Sequence, residues 1–105
     1  MPYVQPHPPV VVSDKVTRRV IADSPELMVV EVAFDAGGVG EAHSHPHVQA
    51  VVVRAGRFRF QIGGEAVEVG VGDAFVIPSG VEHSCKCVEA GILMDTFTPR
   101  RDDFA

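Results

Sequence analysis

Apolar and polar residues alternate with a period of two along much of this chain, and no stretch sustains the three-to-four-residue spacing of a buried helix face. The cleanest case is Arg57-Phe58-Arg59-Phe60-Gln61-Ile62, which reads as a strand with one face inward. Val16 to Ala22 and Leu27 to Phe34 are rich in β-branched and apolar residues, with Asp23-Ser24-Pro25 as the break between them. Glu41 to His45 reads as a short strand ended by Pro46. The near-continuous apolar run from Val48 to Arg54 reads as a strand covered on both faces. Gly63-Gly64 joins Arg57–Ile62 to Glu65–Val69 as a two-residue hairpin, since both glycines tolerate the positive φ of a type I′ turn. Gly70-Val71-Gly72-Asp73 leads into Ala74–Ile77, and Pro78-Ser79-Gly80 ends that strand. His83 to Val88 and Ile92 to Phe97 close the series across Glu89-Ala90-Gly91. Eight to ten short strands at this turn spacing predict an all-β sandwich or barrel.

The first nine residues carry Pro2, Pro6, Pro8 and Pro9 and are expected to run extended. With Val10-Val11-Val12 they form an arm, residues 1–12, that adds to a sheet edge, its own or a partner's. A barrel this small offers the arm little core to join. Addition to a second copy, in a two-fold homodimer, is therefore the expectation.

At 105 residues the chain is expected to be one domain, residues 1–105. Its hydrophobic content of 46% predicts a packed core rather than disorder. The net charge is −5 and the nine Lys and Arg are scattered, which argues against nucleic acid as a partner. Met1-Pro2-Tyr3-Val4 has neither the charged nor the apolar region of a signal peptide, and no apolar run is long enough to span a membrane. Cys85 and Cys87, two apart, are a poor pair for a disulfide, so a cytoplasmic protein with free thiols is expected.

The candidate chemistry centres on His43-Ser44-His45-Pro46-His47-Val48-Gln49, where three of five histidines fall together. In an extended chain, side chains two apart share a face, so His43 and His45 can aim two imidazoles at one point. His83 is the candidate for a third ligand, and imidazole suits several first-row metals. Cys85 and Cys87 share the parity of His83; small buried thiols are the more ordinary reading of both. His47 is expected at the rim of the pocket rather than on the metal.

Longer spacings extend the pattern. Gly37, five residues, His43-x-His45, three residues, Gln49, six residues and Gly56 make one block. Gly72, five residues, Pro78-x-Gly80, two residues and His83 make a second. Together these blocks, over residues 37–87, resemble the two motifs of the cupin superfamily. That resemblance implies a single cupin jelly-roll barrel, a double-stranded β-helix. It also implies a divalent first-row transition metal (Zn, Ni, Mn or Fe) on His43, His45, Gln49 and His83. Two positions depart from the usual motifs: Gln49 stands where Glu is usual, and Cys87 where Asn is common. A neutral amide leaves the cation's charge uncompensated by protein, which favours Lewis-acid chemistry on an anionic substrate over oxygen activation.

The tail Asp95-Thr96-Phe97-Thr98-Pro99-Arg100-Arg101-Asp102-Asp103-Phe104, with the histidine cluster, is similar to a subgroup of small cupins associated with pectin and uronate breakdown. Enzymes of that subgroup linearise 4,5-unsaturated uronates to open-chain keto acids. The similarity implies a metal-assisted isomerase or hydratase of a small sugar acid. Asp95 would be its acid/base, Phe97 a wall of the sugar pocket and Arg101 the contact to the substrate carboxylate. Two other classes remain open at this stage, a metal-dependent dioxygenase of a small organic substrate and a non-catalytic small-molecule-binding module.

Overall fold

Among the described residues eight strands form in chain order: β1 (Val10–Ser13), β2 (Val16–Ser24), β3 (Leu27–Phe34), β4 (Val39–His43), β5 (Val48–Ile62), β6 (Glu65–Gly70), β7 (Ala74–Ile77) and β8 (His83–Thr98). The computed structural model describes residues 7–105, so the expectation of an extended chain over residues 1–6 lies outside the described residues. Every strand pairing is antiparallel. The path runs β1-β2-β3-β8-β5-β6, with β4 added on β8 and β7 on β5. This is a jelly-roll barrel, all-β as the alternation predicts.

Two long strands organise it. β8 lies against β5 along nearly its whole length, from Val48 opposite Thr98 to Ile62 opposite His83. On its other side the two halves of β8 take different partners: Gly91–Phe97 pairs with β3, and His83–Lys86 with β4. The sequence pattern divides each of these strands in two, and the structure shows why. β5 shifts register three times between Val53 and Phe58. The buried positions accordingly change from Gln49, Val51 and Val53 to Phe58 and Phe60. An alternation that changes phase looks like two strands, although the hydrogen-bonded chain is continuous.

The bend depends on a close backbone crossing. Gly56 has φ +78°, and a Cβ placed there would lie 2.5 Å from the carbonyl oxygens of Glu89 and Ala90 and 2.6 Å from the Cα of Gly91. Only glycine allows both that dihedral and that approach.

The core fills from inward-facing positions of several strands. Phe34, Val51, Val53, Phe58, Phe60, Val69, Ile77 and Leu93 form the larger cluster. Val20, Met28, Val30 and Phe97 form a second one. The run Val48–Arg54 is corrected here, for it is covered on one face only. Val51 and Val53 are 0% and 1% exposed, while Val48 and Val52 are 41% and 44% exposed. An antiparallel barrel wall needs only its inner face to be apolar, and valine fits the outer pleat on β-propensity alone.

Val10–Ser13 pairs with β2 of its own chain, Val10 opposite Arg18 and Val11 opposite Thr17. One other expectation changes. The strand read as Glu41–His45 runs instead from Val39 to His43, so His45 lies past its end. There its carbonyl accepts a hydrogen bond from Gly80 N at 2.9 Å.

The glycine crossing generates a stability prediction. Gly56→Ala should destabilise the protein by more than about 3 kcal/mol in urea unfolding, because the clash is with backbone and cannot rotate away. Gly64→Ala, at φ +89° with nothing within 4 Å of the added Cβ, should cost only about 1–2 kcal/mol for the dihedral. Equal losses at the two positions would contradict the crossing.

Candidate metal centre and its pocket

His43 closes β4 and sits directly across from His83, which opens β8. Their ring centroids are 4.4 Å apart. His45, two residues on, brings its ring to 5.4 Å from His43 and 5.0 Å from His83. One ring nitrogen from each lies within 4.8 Å of the others; His45 and His83 are buried and His43 is exposed. The three histidines singled out by spacing therefore do come together.

Their orientation is decided by main-chain carbonyls. Nδ1 of His43 meets the Glu41 carbonyl at 2.8 Å, Nδ1 of His45 that of His47 at 3.1 Å, and Nδ1 of His83 that of Val81 at 3.0 Å. A carbonyl oxygen can only accept, so each Nδ1 carries the proton and each Nε2 keeps a bare lone pair. The Nε2 of His83 is buried without a hydrogen-bond partner. Burial holds the His45 and His83 imidazoles below their usual pKa, in the neutral form that binds metals.

Gln49 completes the argument for a cation. It stands near the start of β5, on the inward parity of Val51, and its Oε1 is 3.1 Å from His45 Nε2. Because the proton of His45 is on Nδ1, two acceptors face each other there. Such a contact becomes favourable when a positive charge, a proton on Nε2 or a metal ion, lies between them. Three imidazole lone pairs and one amide oxygen thus fit a divalent first-row ion.

The cluster opens on a cavity of about 570 Å³ whose walls include His43, Gln49, His83, Asp95, Phe97 and Arg101. Asp95 and Phe97 face inward on β8, both buried. Burial pushes the Asp95 carboxyl up to about 7, while the hydrogen bond from Gln49 and the charge of Arg101 pull it down. Its Oδ1 is buried without a partner. The ring of Phe97 packs edge-on against His45 at 5.7 Å and Phe104 at 5.8 Å.

The two tail arginines separate. Arg101 stays at the cavity, its Nε and Nη2 on the Asp103 carboxylate at 3.0 and 2.8 Å. Its guanidinium lies 4.2 Å over the Phe104 ring and 5.2 Å over that of Phe97. Arg100 turns away and anchors the tail, with Nη2 on Asp23 at 2.7 Å.

Of the remaining marked residues, His47 serves twice. Its carbonyl orients His45, and its Nε2–H donates to the Arg100 carbonyl at 3.1 Å, tying the tail to the histidine loop. No spacing signals that tie, because its partner is a main-chain oxygen 53 residues away. Cys85 lines the cavity, but burial pushes its thiol up to about 12, so it remains protonated. Cys87 packs in the larger core cluster. A further cavity residue, Arg18 of β2, went unmarked in the sequence; its place between the apolar Val16 and Val20 is the signal that could have found it.

Comparison with known proteins agrees with this geometry. Residues 30–95 match the Cupin_2 family, cupin domains. Over 93 residues the chain is 39% identical to the pectin degradation protein KdgF of Dickeya dadantii (strain 3937), an alignment covering 87% of this chain and 84% of that protein. The solved structure of KdgF from Halomonas sp. superposes with a TM-score of 0.89 at 38% identity, over 94% of this chain and 92% of that one. An RmlC-like cupin from Shewanella frigidimarina NCIMB 400 superposes with a TM-score of 0.90 at 34% identity, over 94% and 89%. With a family match across more than half its length and relatives this similar, the chain belongs to the cupin family.

Proposed function

We propose that this protein is a metal-dependent enzyme that opens the ring of a 4,5-unsaturated uronate to the linear keto acid. The observation that carries the reading is one cavity with two kinds of chemistry on its wall. Lone pairs of His43, His45 and His83 and the oxygen of Gln49 can hold a cation there, beside the buried Asp95 and the arginine Arg101. Similarity to a pectin degradation protein favours a uronate among the anions such a cavity could take.

The reaction moves one hydrogen and breaks one bond. The anomeric hydroxyl loses its proton and becomes the C1 aldehyde. The bond from C1 to the ring oxygen breaks, and its electron pair stays on that oxygen. The resulting enol becomes the C5 ketone as C4 takes a proton, so product and substrate have the same composition. A bound divalent ion would supply Lewis-acid charge to the substrate oxygens. Arg101 grips the carboxylate, and its third nitrogen is not engaged by Asp103. Phe97 offers the sugar an apolar wall. Asp95 holds a proton near neutral pH and delivers it to carbon, since burial keeps its carboxyl far above the usual carboxylate range.

The direct test follows the loss of the conjugated enol's ultraviolet absorbance with unsaturated galacturonate or guluronate. Metal-loaded protein should abolish that absorbance; no loss would exclude the uronate reaction, and oxygen consumption with other small acids would then point to a dioxygenase. His83→Ala should lose most of its bound metal by elemental analysis and melt at a lower temperature, because an ion bound only to the native state stabilises it. Asp95→Asn should keep its metal and lose kcat by about 10²–10⁴-fold. Arg101→Ala should instead act mainly by raising KM. A His83→Ala protein with full metal content, or an Asp95→Asn enzyme with normal turnover, would contradict these roles.

A further inference from the structure

We infer that Arg18 is a second cationic contact for the substrate carboxylate, and that it sets the preference of the site for an acidic over a neutral sugar. The inference rests on the uronate reading and deepens it. Arg18 shares its parity on β2 with the buried Val16 and Val20, and its register partner on β3 is Val32, which packs against both core clusters. An arginine at that position is aimed into the barrel, and it lines the same cavity as Asp95 and Arg101. Bringing a guanidinium inside a barrel is costly unless something compensates its charge.

The nearest answering charge is Asp103, whose pKa is lowered by its hydrogen bond from Arg101 and also by the charge of Arg18, but Arg18 and Asp103 form no ion pair. Among the described residues Arg18 makes no ion pair, whereas its neighbour on the outer face, Arg19, meets Glu31 at 3.5 Å. The Arg18 guanidinium stacks on a ring, 4.0 Å from the Phe104 centroid. Arg101 stacks on the same ring at 4.2 Å, but two of its nitrogens are already held by Asp103. Arg101 is thus held directly by Asp103, whereas Arg18 makes no hydrogen bond or ion pair among the described residues. An anion entering beside Phe104 meets Arg18 with its donors free and Arg101 with one nitrogen free. A carboxylate can use both.

The test compares Arg18→Gln, Arg18→Lys, Phe104→Leu and the outer-face control Arg19→Gln in metal-loaded protein. Calorimetric binding of galacturonate and of galactose measures acid preference, and kinetics with unsaturated galacturonate separate KM from kcat. Arg18→Gln should weaken galacturonate binding and raise KM by about 10–100-fold, the loss of a charged hydrogen bond, with little change in kcat or in galactose binding. Arg18→Lys should recover part of the preference by keeping the charge, and Arg19→Gln should retain it fully. Phe104→Leu removes the stack but leaves both cations, so it should keep the preference for the acid. The inference is overturned if Arg18→Gln binds both sugars as wild type does. It is equally overturned if Phe104→Leu loses the acid preference to the same extent, or if the wild type shows no such preference. Wild-type protein that prefers galacturonate yet leaves the unsaturated uronate unchanged would remove the reaction and still support the role of Arg18.

Discussion

Everything at this site depends on three imidazole N–H groups, each held by a main-chain carbonyl. The carbonyls of Glu41, His47 and Val81 take the Nδ1 protons of His43, His45 and His83. With those protons committed, the three Nε2 lone pairs have no other use inside the protein. Imidazoles oriented in this way could hold a metal ion with little reorganisation. The barrel exists, from the viewpoint of the site, to keep those carbonyls where they are. β4 and β8 pair at His43 and His83, and Gly80 fixes the chain at His45.

The same economy of partners governs the rest of the cavity. Asp95 is buried with one oxygen unanswered, and burial raises its carboxyl to about 7. The C-terminal segment closes one wall, held by Arg100 on Asp23 and by the side chain of His47. Through His47 the tail and the histidine loop are mechanically joined. Phe104 then sits between the tail and β2, with Phe97, Arg18 and Arg101 in contact with its ring. Arg100 and Arg101 meet the chain's own carboxylates, Asp23 and Asp103, while Arg18 makes no ion pair among the described residues.

Much of this was legible in the sequence, because the two features that matter most are periodic. Alternation announces strands, and residues two apart share a face, so His43 with His45 and Asp95 with Phe97 could be grouped without a structure. What was not legible depends on contacts distant in the chain. The phase change in β5 hides its continuity, since it arises from a crossing between Gly56 and Gly91. Val10–Ser13 docks on its own β2 because that edge is within reach, and hydrophobicity alone does not distinguish one edge from another. Arg18 stands out only once its flanking valines are known to be core. The outward Val48 and Val52 misled in the opposite sense, as apolar residues that the barrel leaves uncovered.

The central claim is that His43, His45, His83 and Gln49 converge on one cation through Nε2 and Oε1. Anomalous diffraction from crystals of protein purified without added metal tests it most directly. The account predicts a single strong peak about 2.0–2.2 Å from the three Nε2 atoms and the Gln49 oxygen. A peak on the Nδ1 side of any of these rings, or a metal held elsewhere with His83 Nε2 still unpartnered, would contradict it.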